Sequence, residues 1–126
     1  MSQLMRAIKP CMSDLKSNPD NTLTASFLFP PDFLGFKGHF PGKPILPGVC
    51  EMQAALLMLE EFKKEPVLLK EIVQVKFFSP FSCNEKINFA LEEKIEPNGE
   101  ISLKVQVTKD KERAAEMHLR VMITNT

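Results

Sequence analysis

Residues 38–49 read GHFPGKPILPGV, the most unusual stretch of the chain. Three prolines and three glycines in twelve residues predict a stiff loop whose backbone other groups can approach closely. His39 lies in this loop, and an imidazole titrates near neutral pH. The N–H groups of Gly48 and Val49 lie where a helix is expected to begin, so they can receive developing negative charge. From spacing alone, a single His in a loop is more often structural or solvated than catalytic.

A helix is predicted directly after the loop. Pro47 suits the first helical position, since its missing N–H would have no partner there. From Val49 to about Lys64 there is no Gly or Pro, and Ala, Leu, Met and Glu dominate. The first half is apolar on nearly all faces and the end is charged. This pattern indicates a core helix that other elements enclose.

Strands are predicted on both sides of this helix. Before it, Lys9–Lys16 is a weak candidate, and Thr22–Phe29 is a better one that follows a turn at Asn18–Asn21. After it, four segments alternate apolar and polar residues, with a turn at Pro97-Asn98-Gly99. Their apolar positions are Val73, Val75 and Phe77 within Val67–Phe78, then Ile87, Phe89 and Leu91, then Ile101, Leu103, Val105 and Val107, then Met117, Leu119, Val121 and Ile123. The expected fold is α+β, an antiparallel sheet wrapped around one central hydrophobic helix.

Composition limits the class of protein. The 126 residues are enough for one compact domain, taken as residues 1–126, with 44% hydrophobic and 25% charged residues. Sixteen basic and sixteen acidic side chains cancel, which argues against nucleic acid or an anionic membrane as a main partner. The longest apolar run, residues 54–59, is far too short to span a bilayer, and the N-terminus lacks the apolar run of a signal peptide. We expect a cytoplasmic protein without membrane insertion.

Cysteine and cofactor signals are sparse. Cys11, Cys50 and Cys83 are odd in number and far apart, which predicts reduced thiols and no metal site. The chain has no P-loop and no GxGxxG, so no cofactor is expected. His118 alternates with Met117 and Leu119 on the last strand, so its ring is predicted to face solvent and take no part in catalysis.

The segment GHFPGKPILPG closely resembles the signature of the hot-dog-fold 3-hydroxyacyl-(acyl carrier protein) dehydratases, including the bacterial enzymes for 3-hydroxymyristoyl and 3-hydroxydecanoyl chains. The resemblance continues into the helix through PGVCEMQAALLML and reappears as VKFFSP at Val75–Pro80. It implies a single hot-dog domain that removes water from (3R)-hydroxyacyl thioesters to give trans-2-enoyl thioesters, in fatty acid or related lipid or polyene synthesis. It also implies acyl carrier protein as partner and a homodimer or a higher oligomer of dimers.

The same resemblance assigns roles to residues. His39 is the family's base, taking the proton from C2. The Gly48 N–H holds the thioester carbonyl, and Val49 and Phe40 complete the substrate-binding set. In the family an acid on the central helix, contributed by the other subunit, protonates the departing hydroxyl.

The sequence departs from the family at this acid. The corresponding position holds Gln53, whose amide can hydrogen-bond to a hydroxyl but cannot protonate it as a carboxylic acid does. Glu51 is the nearest carboxylate, but it points about 200° away around the helix. We interpret Glu51 as an acid that complements the helix dipole. The expected catalytic pair is therefore incomplete.

Three functions remain open at this point. The leading hypothesis is a dehydratase in which Gln53 orients the hydroxyl or a water and His39 serves as base and then as acid. The second is a non-catalytic subunit that binds acyl thioesters or acyl carrier protein. The third, ranked last, is a hot-dog thioesterase.

Other residues near the motif are weaker candidates. Met52, Leu56 and Phe78 can line an acyl tunnel or simply fill the core. Lys37 and Lys43 flank the loop and can meet the acidic carrier protein or the phosphate of its phosphopantetheine arm. Either lysine alone indicates only a solvated surface.

Overall fold

The computed structural model describes residues 2–36 and 45–124. Helix α1 (Gln3–Ile8) and a 3₁₀ turn (Lys9–Cys11) precede the first two strands, and a second 3₁₀ turn (Leu34–Phe36) follows them. The main helix and four more strands follow. The bounds are β1 (Met12–Ser17), β2 (Thr22–Leu28), α2 (Gly48–Lys63), β3 (Val67–Phe77), β4 (Lys86–Ile95), β5 (Ile101–Lys109) and β6 (Glu112–Ile123).

The six strands form one antiparallel sheet in the order β1-β2-β4-β5-β6-β3. Strands β4, β5 and β6 are the predicted meander. Gly99 has a φ of 88° and donates its N–H to the Glu96 carbonyl, which confirms the turn between β4 and β5. Asp110 and Lys111, with φ of 52° and 69°, form the two-residue turn between β5 and β6. Tight turns thus keep consecutive strands side by side.

The core lies between α2 and one face of the sheet, as the alternation of apolar residues predicts. On β2, β4 and β5 the predicted apolar positions are all buried, whereas their neighbours along each strand are more exposed. Residues 54–59 of α2 are buried on every side. The buried strand residues are Leu23, Ala25, Phe27, Ile87, Phe89, Leu91, Ile101, Leu103, Val105 and Val107. The α+β prediction is confirmed.

The entry into α2 differs by one residue from the prediction. Pro47 is the N-cap, not the first helical residue, with extended backbone at φ −63° and ψ 145°. Leu46 just before it is buried and donates its N–H to the Phe81 carbonyl at 2.8 Å. This bond fixes the direction in which the chain enters the helix. Lys64, with a left-handed φ of 58°, ends it.

The N-terminal prediction of a strand from Lys9 is wrong in its first three residues. Lys9–Cys11 instead form the 3₁₀ turn. It follows directly on α1, whose N-cap Ser2 accepts a hydrogen bond from the Met5 N–H at 3.1 Å. Met5 and Ile8, three residues apart, are the buried side chains of this helix. That spacing is helical, and strand β1 begins only at Met12.

Strand β3 also departs from expectation, because its apolar residues are not all covered. Of the predicted buried positions, Val75 packs against the core, whereas Val73 is 44% and Phe77 51% exposed. Leu68 and Ile72 of the same strand are each 49% exposed. β3 is the last strand of the sheet and pairs only with β6 in the described part of the chain. We call the exposed apolar residues Leu68, Ile72, Val73 and Phe77 the β3 patch.

Two further findings concern the cysteines and the length of the helices. Cys11, Cys50 and Cys83 are free thiols. Among the described residues, no helix combines the length and the apolar character that crossing a membrane requires.

Candidate functional site

The start of α2 is the part of the expected site that the structure describes. Gly48 is the first helical residue and Val49 follows it, 50% exposed. Cys50 N–H donates to the Pro47 carbonyl at 2.9 Å, which tightens the first turn. The first N–H groups of a helix have no intrahelical partner, and the helix dipole makes this end positive. Gly48 and Val49 therefore offer an electropositive backbone at an accessible place.

Phe77 lies against this helix start. A Cβ at residue 48 would be 2.5 Å from Cζ of Phe77, closer than side chains pack. Glycine is thus required at position 48 for the ring of Phe77 to occupy its place. The end of β3 and the start of α2 are thereby held together, and the half-exposed ring borders the Gly48 backbone. The sequence motif marked Gly48 but gave no sign of Phe77 as its neighbour.

Gln53 and Glu51 lie in different surroundings on α2. Gln53 is partly buried, at the border of the helix face that Val49 exposes. Glu51 is only 3% exposed and lies in the protein interior. The two side chains thus point in different directions, as the 200° separation predicts.

Glu51 is unusual among the described side chains. Its Oε1 is buried and accepts no hydrogen bond within residues 2–36 and 45–124. Burial raises the pKa of this carboxyl to about 8. The helix-dipole interpretation of Glu51 needs a charged carboxylate, whereas burial favours the neutral acid at pH 7. Glu51 is therefore better described as a buried carboxylic acid.

Cys50 is not a nucleophile at this site. It is 1% exposed, and its Sγ lies 2.8 Å from where a Cβ of Gly35 would be. Burial first, and the neighbouring Glu51 second, raise the pKa of the thiol to about 11. Thiolate is the reactive form of cysteine, so this side chain serves packing.

Some residues of the predicted site are not among those that the structure describes. His39 and Phe40, and with them Lys37 and Lys43, lie outside the described residues. Their expected roles stay predictions. Within the described part of the chain, no three His, Cys, Asp or Glu side chains gather as metal ligands.

The tunnel candidates are dispersed. Leu56 is buried in the core and Met52 is partly buried against it. Phe78 is half-exposed, and the Arg113 guanidinium lies 5.2 Å from its ring centroid. Such a cation–π contact stabilises the half-exposed Phe78 ring at the protein surface.

His118 lies on the outer face of the sheet, opposite the core, as predicted. Its Nε2 and the Ser102 Oγ on β5 are 2.6 Å apart, a hydrogen bond between neighbouring strands. The bordering surface groove, about 440 Å³, is lined mainly by polar and charged strand residues. A Ser–His contact on a regular strand lacks the sharp turn and oxyanion donors of a nucleophile, so its role is structural.

Comparison with known proteins places these features in context. The model of the ApeI-like family, which is described as ApeI dehydratase, matches residues 15–122. A 3-hydroxyacyl-[acyl-carrier-protein] dehydratase FabZ from Acetivibrio thermocellus is 34% identical over 98 residues, 72% of this chain and 67% of that protein. Shorter matches, to proteins of the same name from Clostridium acetobutylicum and Latilactobacillus sakei, span 33% of this chain and 35% of those relatives.

Solved structures share the fold at low sequence identity. The dehydratase heterocomplex ApeI:P from Xenorhabdus doucetiae has a TM-score of 0.72 at 16% identity, covering 88% of this chain and 96% of that one. A thioesterase from Pseudomonas aeruginosa, solved as a mutant, has a TM-score of 0.64 at 13% identity, covering 87% of this chain and 79% of that one. Together these likenesses confirm the hot-dog fold and the resemblance that the loop motif carries.

Proposed function

Because the chain belongs to the ApeI-like dehydratase family, we propose that it removes water from (3R)-hydroxyacyl thioesters to give trans-2-enoyl thioesters. The observation that carries this proposal is the family match over residues 15–122, which spans both the loop motif and α2. The substrate is an acyl chain on acyl carrier protein, by analogy with the relatives named for that carrier. The reaction needs a base at C2, a donor for the carbonyl oxygen and an acid for the hydroxyl.

The base in this proposal is His39. A neutral imidazole, with an ordinary pKa near 6.5, can take the C2 proton at neutral pH. Residue Phe40 belongs to the substrate-binding set of the same loop. These two assignments come from the motif GHFPG alone.

The carbonyl oxygen is held by the backbone N–H of Gly48, with Val49 beside it. Removing the C2 proton drives negative charge onto this oxygen, and fixed N–H donors at a helix start stabilise such charge. The Phe77 ring beside Gly48 shields one side of this backbone from water. Exclusion of water strengthens the N–H contact to the developing charge.

Gln53 binds the hydroxyl in this proposal without protonating it. An amide donates and accepts hydrogen bonds but has no acidic proton to give. Gln53 is partly buried on α2, which suits a side chain that contacts substrate at the protein surface.

The active unit is a homodimer, assembled through β3. In the described part of the chain, β3 has no neighbouring strand on its outer edge. The β3 patch also gives this strand an exposed apolar surface. An antiparallel strand edge is complementary to a second copy of itself, so two sheets can join there. Since Phe77 belongs to both the patch and the Gly48 contact, this dimer would place the helix starts next to the joint.

A second candidate function is a subunit that binds acyl thioesters and leaves the acid to a different partner. Gln53 at the acid position favours it, and the structure of a dehydratase heterocomplex shows that one protein of this fold assembles with another. Thioester hydrolysis is the third candidate, supported by fold likeness to a thioesterase.

One assay separates these candidates. Purified protein is incubated with trans-2-enoyl acyl carrier protein of several chain lengths, and hydration is followed by mass spectrometry. We expect wild type to add water and His39→Ala to lose at least about 10²-fold in rate. An inert wild type that still binds acyl carrier protein would support the binding subunit. Release of free thiol would support the thioesterase.

A further inference from the structure

A dehydratase needs an acid for the departing hydroxyl, and Gln53 does not supply one. The described side chains include two buried polar groups, Ser26 and Glu51. Ser26 donates to Asn88 Oδ1 at 2.8 Å, so its burial is compensated. Glu51 Oε1 has no such partner in the described part of the chain. A buried, unsatisfied carboxyl destabilises a fold, and such groups concentrate at functional sites.

Glu51 also lies near the carbonyl-binding backbone. On an α-helix, residue 51 is about 60° around the axis from residue 48 and about 4.5 Å along it. Residue 53 is about 140° around and 7.5 Å along. Helical side chains lean toward the N-terminus, so the Glu51 carboxyl is carried back toward the Gly48 turn.

This place fits the dimensions of the substrate. The carbon that bears the hydroxyl is two C–C bonds, each about 1.5 Å, from the thioester carbonyl carbon. A substrate whose carbonyl oxygen rests on the Gly48 N–H therefore holds its hydroxyl within a few ångströms of that turn. The acid is required close to Gly48, and Glu51 is the carboxyl of the first turn of α2.

We propose that Glu51 is the proton donor to the departing hydroxyl, acting from the same chain that supplies Gly48. The inference rests on the dehydratase function proposed above. The C2–H bond breaks, and its proton goes to the base. The electron pair forms the C2=C3 bond, the C3–O bond breaks, and the oxygen takes the proton of the Glu51 carboxyl and leaves as water. Proton transfer from the base through solvent restores the acid.

The chemical state of Glu51 suits this role. Burial raises its pKa to about 8, so the carboxyl is protonated at neutral pH and can donate. Dehydration of a 3-hydroxyacyl thioester should then fall in kcat/KM as pH rises above about 8. Donation from within the chain would leave the Gln53 side of the helix for binding alone.

The test is hydration of trans-2-enoyl acyl carrier protein by Glu51→Gln, with Glu65→Gln as the matched control. Glu65 is an exposed residue just after α2, so the control makes the same chemical change away from the site. We expect Glu51→Gln to lower kcat by about 10² to 10⁴-fold with a smaller change in KM, and Glu65→Gln to match wild type. Glu51→Asp, which keeps a carboxyl, should retain more activity than Glu51→Gln.

Two outcomes would overturn the inference while leaving the dehydratase function in place. The first is an active wild type with Glu51→Gln within threefold of it. The second is a gain of tenfold or more in Gln53→Glu, since it would mean that wild type lacks its acid. A wild type inert at every chain length would instead refute the function on which the inference rests. Circular dichroism of each variant verifies that it folds.

Discussion

Gly48 and Phe77 pack so closely that a methyl group on residue 48 would lie 2.5 Å from Cζ and 3.0 Å from Cε2 of Phe77. The contact joins the first residue of α2 to the last residue of β3, elements that are distant in the sequence. It therefore couples the backbone that is proposed to hold the thioester carbonyl to the exposed edge of the sheet.

Replacing Gly48 with Ala tests this contact. The new methyl group must displace the Phe77 ring or the helix start, and a displacement of about 1 Å in a catalytic group can lower the rate about 10²-fold. Since the colliding atoms are the far end of an exposed side chain, the fold should survive. We expect hydration activity to fall about 10²-fold with little change in urea unfolding. The double variant Gly48→Ala/Phe77→Ala should recover part of the rate if the collision is the cause.

The pH dependence of stability tests the state of Glu51. Its pKa is about 8 in the folded chain and 4.5 as the ordinary value, so the folded state favours the protonated form. The stabilisation by protonated Glu51 is fully present below pH 4.5 and is lost as pH rises through 8. Wild type should therefore become less stable than Glu51→Gln by a further 3 to 4 kcal/mol, roughly, between pH 5 and 8. Urea unfolding at both pH values measures this. An equal change in the free energy of unfolding of the two proteins between these pH values would contradict it.

A charge in the β3 patch should disrupt the proposed dimer. Val73→Lys places an ammonium group on the outer strand, where pairing with a second copy would bury it unpaired. We expect a monomer by light scattering, with secondary structure retained and hydration activity lowered, because the dimer joint borders the Phe77–Gly48 contact. Ile95→Lys is the control, because Ile95 is 68% exposed at the end of β4, away from the patch. A dimeric Val73→Lys protein would place the assembly surface elsewhere.

The Ser102–His118 hydrogen bond should matter for stability and not for catalysis. Ser102→Ala removes one partly buried hydrogen bond between β5 and β6, worth about 1 kcal/mol. The rate of hydration should stay at the wild-type value in both Ser102→Ala and His118→Gln. Loss of activity in either variant would assign the outer groove a role in the reaction.

The sequence predicted best those elements whose burial follows from their own pattern. In β4 and β5 the residues predicted to be inside recur at every second position, and they are buried. Helix α1 was missed because its six residues are too few to show a helical period clearly. Its Ser2 N-cap was the available signal.

The remaining errors arise where burial depends on distant parts of the chain. The alternation in β3 resembles that in β4, yet Val73 and Phe77 are exposed because β3 ends the sheet. The sequence pattern indicates that Glu51 is an acid complementing the helix dipole, but tertiary packing buries it. For the site, the motif predicted Gly48 and the departure at Gln53, whereas the contact with Phe77 required the structure.

In the described part of the chain the outer edge of β3 is unpaired, so pairing through it would make the stability of this protein depend on its concentration. If folded chains pair through that edge, dimerisation adds to the free energy of unfolding by an amount that grows with protein concentration. Dilution would then lower the melting temperature without any change in sequence or solvent. The same eleven-residue strand, left unpaired in a dilute or mutated chain, offers a template to any other exposed strand. Loss of the partner would therefore appear first as aggregation on heating, before any loss of secondary structure.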